Sequence, residues 1–357
     1  MTVDKVILAS PRGFCAGVEK AINALAWMVR IFPPPVYCYH EIVHNQLVVE
    51  AFSRVGVIFV PDISQVPEGS PIMLSAHGSA PEVVEAARGQ GGTVIDAVCP
   101  LVTKVHHEIR TRASKGYRIV YIGHRGHEEA IGATAEAPNS VDFVETIADV
   151  EALVKDERPI ALLAQTTLAV PEWQELADRT KDRLGPVWMP GRSDLCYATT
   201  NRQAAIAEIA PRVDTLVVIG SANSSNTRAL ERVAKAKGVS RVLRINSEAE
   251  LPNDISGNVG ITAGASAAED VVARVVERLQ ARDEPEIVSA IAEDEFFPAP
   301  PELRELLAGL SAAAALLLGK EASAEVGLHD LARDALADLA TEPDWHPDPS
   351  VDEIASI

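Results

Sequence analysis

No two of the four cysteines, Cys15, Cys38, Cys99 and Cys196, stand in a C-x-x-C pair. That absence excludes a zinc ribbon and the closely spaced ligand run of two-cluster ferredoxins. Basic charge is scarce as well: 32 Lys and Arg face 51 Asp and Glu, a net charge of −19. Such a chain has little to offer a phosphate backbone, so no nucleic acid is expected as a partner. The N-terminus, MTVDKVILAS, lacks a basic stretch followed by a long apolar one, and no secretory signal is expected. Long apolar runs are missing too. LLAGLSAAAALLLG, Leu306 to Gly319, is the longest uncharged one, and it falls short of the roughly 18 residues that a bilayer span needs. It reads as a packed helix, so no membrane partner is expected and the expected compartment is the cytoplasm, where disulfides are rare.

What the chain does contain is one repeated kind of unit. Short apolar runs alternate with helical patterns: KVILAS with AGVEKAINALAWMVR, TVIDAVCP with LVTKVHHEIRTRASKG, PIALLAQTT with PEWQELADRTKDRL, TLVVIGSANSSN with TRALERVAKAKG. The runs are apolar on both faces rather than alternating, the mark of parallel strands covered by helices. The expected fold is α/β, with several small, mostly parallel sheets. Cys15, His77, Cys99, His127, Thr166, Cys196, Asn226 and Ser266 all lie at or just after the end of an apolar run, or at a helix start. Ligands of open α/β sheets bind outside the carboxyl ends of the strands, so these residues point to several sheets aimed at a common centre.

Three of the cysteines are 84 and 97 residues apart, one per α/β unit. Three thiolates at a shared centre can bind zinc or an iron–sulfur cluster. A cluster held by three thiolates leaves one iron without a protein ligand, able to act as a Lewis acid. Cys38, inside the apolar run VYCYH, reads as a small buried hydrophobe. Two serines fit capping boxes: Ser266 with Glu269 in SAAE and Ser79 with Glu82 in SAPE. His124, three residues before His127, is a candidate to orient it.

In order and spacing, PRGFCAGV, HEIVHN, SAHG, DAVCPLVTKVH, GHRGHEE, QTTL, DLCYATTNRQ, GSANSSN and TAGAS resemble the motifs of the LytB family, also called IspH, the 4-hydroxy-3-methylbut-2-enyl diphosphate reductases. The resemblance spans roughly Val3 to Arg282. It implies three α/β units around a pseudo-threefold axis with a [4Fe–4S] cluster at the centre: residues 17–98, 99–195, and 1–16 with 196–300. It implies reductive removal of the substrate hydroxyl as water by two electrons and two protons, giving isopentenyl and dimethylallyl diphosphate in the last step of the methylerythritol phosphate route. The electron donor would be a ferredoxin or a flavodoxin. By motif register, Cys15, Cys99 and Cys196 would be the cluster ligands. His44, His77, His127, Ser224, Ser225, Asn226 and Ser266 would hold the diphosphate, with Thr166 near the substrate hydroxyl and Glu129 as the acid. The motifs offer the substrate little Lys or Arg, and instead hydroxyls, an amide, imidazoles and helix N-termini.

Two departures stand out. The family usually has proline between the histidine and glutamate where this chain has Glu128, which places two acids side by side. The chain also continues about fifty residues past FFPAPPELRELL. Residues 301–357, with twelve acids against three bases, are expected to form an acidic extension, helical in its Ala/Leu part and disordered beyond.

Overall fold

The computed structural model describes residues 2–317. Strands and helices alternate along the chain as β1 (Thr2–Ser10), α1 (Ala16–Ile31), β2 (Val36–Tyr39), α2 (Gln46–Arg54), β3 (Val57–Val60), β4 (Ile72–Leu74), α3 (Pro81–Gly89), β5 (Val94–Asp96), α4 (Pro100–Ser114), β6 (Arg118–Ile122), α5 (Glu128–Thr134) and β7 (Val141–Val144). There follow α6 (Ile147–Ala152), β8 (Ile160–Ala164), α7 (Val170–Leu184), β9 (Val187–Trp188), α8 (Tyr197–Ile209), β10 (Thr215–Ile219), α9 (Ser225–Ala236), β11 (Arg241–Ile245), β12 (Ser256–Ala263), α10 (Glu269–Leu279), β13 (Glu286–Ser289) and α11 (Pro301–Leu317).

The strands form three parallel sheets, ordered β3-β2-β4-β5, β7-β6-β8-β9 and β11-β10-β12-β1-β13. Strands β6, β8 and β10 are buried at every residue, as expected where helices cover both faces. In the five-stranded sheet the first strand lies between two late ones: Leu8 of β1 aligns with Ile261 of β12 on one side and Ile287 of β13 on the other. Its two faces carry separate cores, one around Val217, Val259, Ile261 and the apolar face of α10. The other is built from Ile7, Leu216 and Val218 against Ile206 of α8 and Leu230 of α9.

By contact, the chain forms two compact units. One comprises residues 2–15, 77–81 and 100–295, with the five-stranded sheet and the β6–β9 sheet; the other comprises residues 16–76, 82–99 and 296–317, with the β2–β5 sheet. Cys38 is fully buried in β2, and burial pushes its thiol far above the ordinary range. No helix among the described residues is long and apolar enough to cross a membrane.

The Ala/Leu segment is helical through Leu317, and α11 packs against β5 within its unit. The expected disordered stretch lies outside the described residues. Leu303 of α11 is fully buried, whereas Leu310 is 46% exposed. Leu303→Ala should therefore cost about 2–5 kcal/mol through lost burial and a residual cavity, and Leu310→Ala less than about 0.5 kcal/mol. Thermal midpoints of the two variants check this; equal midpoints would mean that α11 is not part of the folded body.

Candidate active site

The loop between β1 and α1 carries Cys15. Its backbone N–H donates to the Ala265 carbonyl (3.1 Å), in the segment after β12. Arg202 of α8 fixes this loop from below. The guanidinium is fully buried and donates to the carbonyls of Gly13 (2.8 Å), Phe14 (3.3 Å) and Ala198 (3.0 Å), and to the Glu293 carboxylate (3.0 Å). A buried cation survives because acceptors surround it.

Cys196 is the N-cap of α8, and its sulfur accepts from the Thr199 N–H (3.3 Å). Burial first, and then the charge of Cys15, pushes the Cys196 thiol up to about 11. A thiol held up by burial and by a neighbouring sulfur is favoured as a thiolate by a cationic centre beside it. The soft donor set and the helix N–H aimed at one sulfur both fit a thiolate-bound iron cluster. Cys99, in the other unit, precedes α4, and its N–H donates to the Ala76 carbonyl (3.0 Å). Lys20 stands beside it, donating to the Val98 carbonyl (2.8 Å). Burial holds the Lys20 ammonium below its usual range, against the opposing pull of Cys99 and Asp96.

A chain of hydrogen bonds runs outward from Cys196. Its N–H donates to the Thr166 carbonyl (3.1 Å). Thr166, just past β8, donates its own N–H to Glu129 Oε1 (2.6 Å) and its hydroxyl to Glu129 Oε2 (3.0 Å). The Glu129 N–H in turn donates to His127 Nδ1 (3.2 Å), making His127 the N-cap of α5. An Nδ1 that accepts leaves the proton on Nε2, so His127 is a neutral donor in this state. The His77 ring meets the His127 ring edge-on, with centroids 5.9 Å apart.

Gly78 is gripped from two helices. A Cβ there would lie 2.9 Å from His106 Nε2 of α4, and φ is +81°. A Cβ at Gly132 of α5 would lie 2.8 Å from the Gly78 carbonyl oxygen. His106 is itself held through Nδ1 by Glu136 (2.7 Å), which also accepts from Arg110 (2.6 Å). Burial works to raise Glu136, but these two partners outweigh it and hold the carboxyl below its ordinary range. The position of His77 relative to His127 thus rests on close backbone packing.

The start of α9 gathers Ser224, Ser225 and Asn226, all buried. Ser224 caps the helix by accepting from the Thr227 N–H (3.2 Å). Asn226 braces the site: Nδ2 donates to Thr199 (3.2 Å) and Oδ1 accepts from the Ala265 N–H (3.0 Å). A Cβ at Gly220 or Gly264 would fall 2.4 or 2.3 Å from Thr227 Oγ1. Both strand ends must therefore be glycine for the helix to start this close. In the other unit, His44 is buried ahead of α2, with Nδ1 3.2 Å from Glu41.

The family model described as LytB protein matches residues 6–280. This chain belongs to the LytB family. It is 42% identical over 310 residues to the 4-hydroxy-3-methylbut-2-enyl diphosphate reductase of Cutibacterium acnes, covering 85% of this chain and 96% of the relative. It is 43% identical to the reductase of the same name from Rhodopirellula baltica, covering 88% and 100%. The solved structure of the E-1-hydroxy-2-methyl-but-2-enyl-4-diphosphate reductase from Plasmodium falciparum superposes with a TM-score of 0.82 at 30% identity, over 86% of this chain and 99% of that one.

As a LytB chain it departs from the sequence-based expectations at three places. Ser266 does not cap α10: the N-cap is Ala268, without a side-chain bond, and Glu269 pairs with Arg12 instead. Ser79 forms no capping box either, since α3 starts at Pro81 and the buried Ser79 hydroxyl makes no hydrogen bond. His124 does not orient the His127 ring; its ring bonds Ser225 and Glu172. Arg202 escaped sequence reading, because a lone arginine inside a helical pattern looks like a surface residue. The two adjacent acids are told apart by burial: Glu129 is 2% exposed and bonded to Thr166, while Glu128 is half-buried.

Arg202→Leu should lower the thermal midpoint sharply, by the equivalent of about 3–5 kcal/mol, because three carbonyls and Glu293 lose their donor at once. Glu293→Gln should cost less, since the backbone carbonyls still hold the guanidinium. Differential scanning calorimetry compares them; a milder Arg202→Leu would show that the loop does not depend on the arginine.

Proposed function

We propose that the protein is a 4-hydroxy-3-methylbut-2-enyl diphosphate reductase, converting its substrate to isopentenyl and dimethylallyl diphosphate with release of water. The observation that carries the reading is the bonded run Cys196–Thr166–Glu129–His127, which ties a carboxyl to the backbone beside a thiol suited to a cluster. Binding alone needs no such acid.

Cys15, Cys99 and Cys196 would hold a [4Fe–4S] cluster. When bound, the cluster supplies the two electrons, passed on from a one-electron carrier such as a ferredoxin or flavodoxin, and a Lewis-acidic iron for the departing hydroxyl. The rest falls to the side chains. Ser224, Ser225, Asn226 and Ser266, with His44, His77 and His127, would receive the diphosphate, and α9 adds the positive end of its dipole. Neutral His127 donates from Nε2 without bringing a charge. Hydroxide is a poor leaving group, so the C–O bond breaks only as a proton arrives. In its protonated form Glu129 holds that proton and Thr166 relays it: the Thr166 hydroxyl, which donates to Glu129 in the structure, turns to give its hydrogen to the substrate oxygen and takes another from the carboxyl. A second proton completes the allylic carbon, and water leaves.

Anaerobic purification followed by iron and acid-labile sulfide analysis tests the reading against a zinc hydrolase with the same three thiols. Cys15→Ser, Cys99→Ser and Cys196→Ser should each lose iron, and Cys38→Ser, in the core of β2, should keep it. If Cys38→Ser loses iron while any of the other three retains it fully, the ligand set is wrong.

Glu129→Gln keeps shape and a hydrogen bond but has no proton to give. At matched iron content its turnover should fall roughly 10²–10⁴-fold, while Glu128→Gln stays near wild type. Steady-state rates decide, and a dead Glu128→Gln beside an active Glu129→Gln would move the acid by one residue.

A further inference from the structure

His124 sits in the loop after β6, with its side chain 13% exposed. Its backbone N–H donates to Gln165 Oε1 (2.9 Å). That bond fixes which end of the Gln165 amide is oxygen. The amide nitrogen therefore donates, to Thr167 Oγ1 (2.8 Å) and to Ser225 Oγ (3.2 Å). His124 Nδ1 lies 3.1 Å from the same Ser225 oxygen, and Nε2 lies 3.2 Å from Glu172 Oε1. Arg232 closes the cluster, donating to Glu172 Oε2 (2.9 Å).

The bonding capacity of Ser225 makes this arrangement directional. A hydroxyl has one proton and two lone pairs, and Gln165 fills one lone pair. Burial works to raise Glu172, but the His124 bond and the Arg232 charge outweigh it and hold the carboxyl below its ordinary range. It is then a pure acceptor, and the shorter contact of His124 Nε2 is to this carboxylate (3.2 Å) rather than to Arg232 Nη2 (3.5 Å), which suits a proton on Nε2. When Nδ1 carries one as well, it fills the second lone pair of Ser225. The serine's own proton then has only the ligand side left to point to. The charged groups facing the imidazole are Glu172 from α7 and Arg232 from α9; the neighbouring Arg125 turns away to Asp149 (3.0 Å).

We propose that His124, braced by Glu172 and Arg232, is a positioning residue that fixes the Ser225 hydroxyl as a hydrogen-bond donor to the bound diphosphate. This rests on the reading of the α9 N-terminus as part of the diphosphate site. It explains how an acidic chain adds an attractive group behind the phosphate without a lysine or arginine touching it. It also gives the imidazole a different partner from the neighbouring His127.

The test uses the iron-loaded enzyme and inorganic pyrophosphate as the probe, with calorimetric Kd measured alongside KM and kcat. Iron content serves as the control for folding. His124→Ala should weaken pyrophosphate binding roughly tenfold and raise the substrate KM by more than it lowers kcat. His124→Asn, whose amide nitrogen stands near the place of Nδ1, should recover most of the loss. In the double variant His124→Ala/Ser225→Ala, the histidine change should add little to the cost of Ser225→Ala alone. Costs that multiply fully in the double variant overturn the positioning role, as does an unchanged Kd in His124→Ala. If Ser225→Ala itself binds pyrophosphate like wild type, the diphosphate reading of α9 fails and the role of His124 fails with it.

Discussion

The site is organised by the peptide group of Thr166. Its carbonyl takes the Cys196 N–H and its N–H goes to Glu129, so one rigid plane ties a thiol to an acid. The end of β8 and the starts of α5 and α8 must all be in place for both bonds to form. Backbone bonds of this kind leave the carboxyl little rotamer freedom. The Thr166 side chain adds a third bond, its hydroxyl donating to Glu129 Oε2.

A second constraint is electrostatic. A chain of net charge −19 must attract a diphosphate. The fold meets this locally, by bringing hydroxyls, amides and helix N–H groups to the ends of the strands, where partial charges add up without a full cation. Charged groups stand one step back. Arg232 neutralises Glu172 behind His124, and Arg202 is spent on the backbone of the Cys15 loop rather than on a ligand. Steric limits complete the picture, since Gly220 and Gly264 leave room for Thr227 at the start of α9, and Gly78 fits between His106 and Gly132.

Much of the fold was legible in the chain. Runs apolar on both faces announced parallel strands, and the parallel sheets follow from them. The cysteines in strand-end loops were separable from Cys38 because Cys38 lies inside the strand-like run VYCYH, and it is buried in β2. Capping was less legible. SAAE and SAPE have the spacing of capping boxes, yet α10 begins at Ala268 and α3 at Pro81. In the first case the glutamate found a stronger partner in Arg12, a pairing 257 residues apart that no local rule contains.

The sequence by itself determined the class of each element, the placement of reactive residue types at strand ends, and the family to which the chain belongs. These depend on short-range periodicity and on motif order, both written in consecutive residues. Only the tertiary structure decided which side chains work together. Glu129 and Glu128 are the same residue type one position apart; burial against Thr166 distinguishes them, through contacts 37 residues distant in sequence. His124 reads as a partner of its near neighbour His127, yet its ring turns to Ser225, 101 residues away. The physical reason is common to both: a side chain's hydrogen-bond partner is set by the packing of whole helices and sheets, and spacing along the chain carries no record of it.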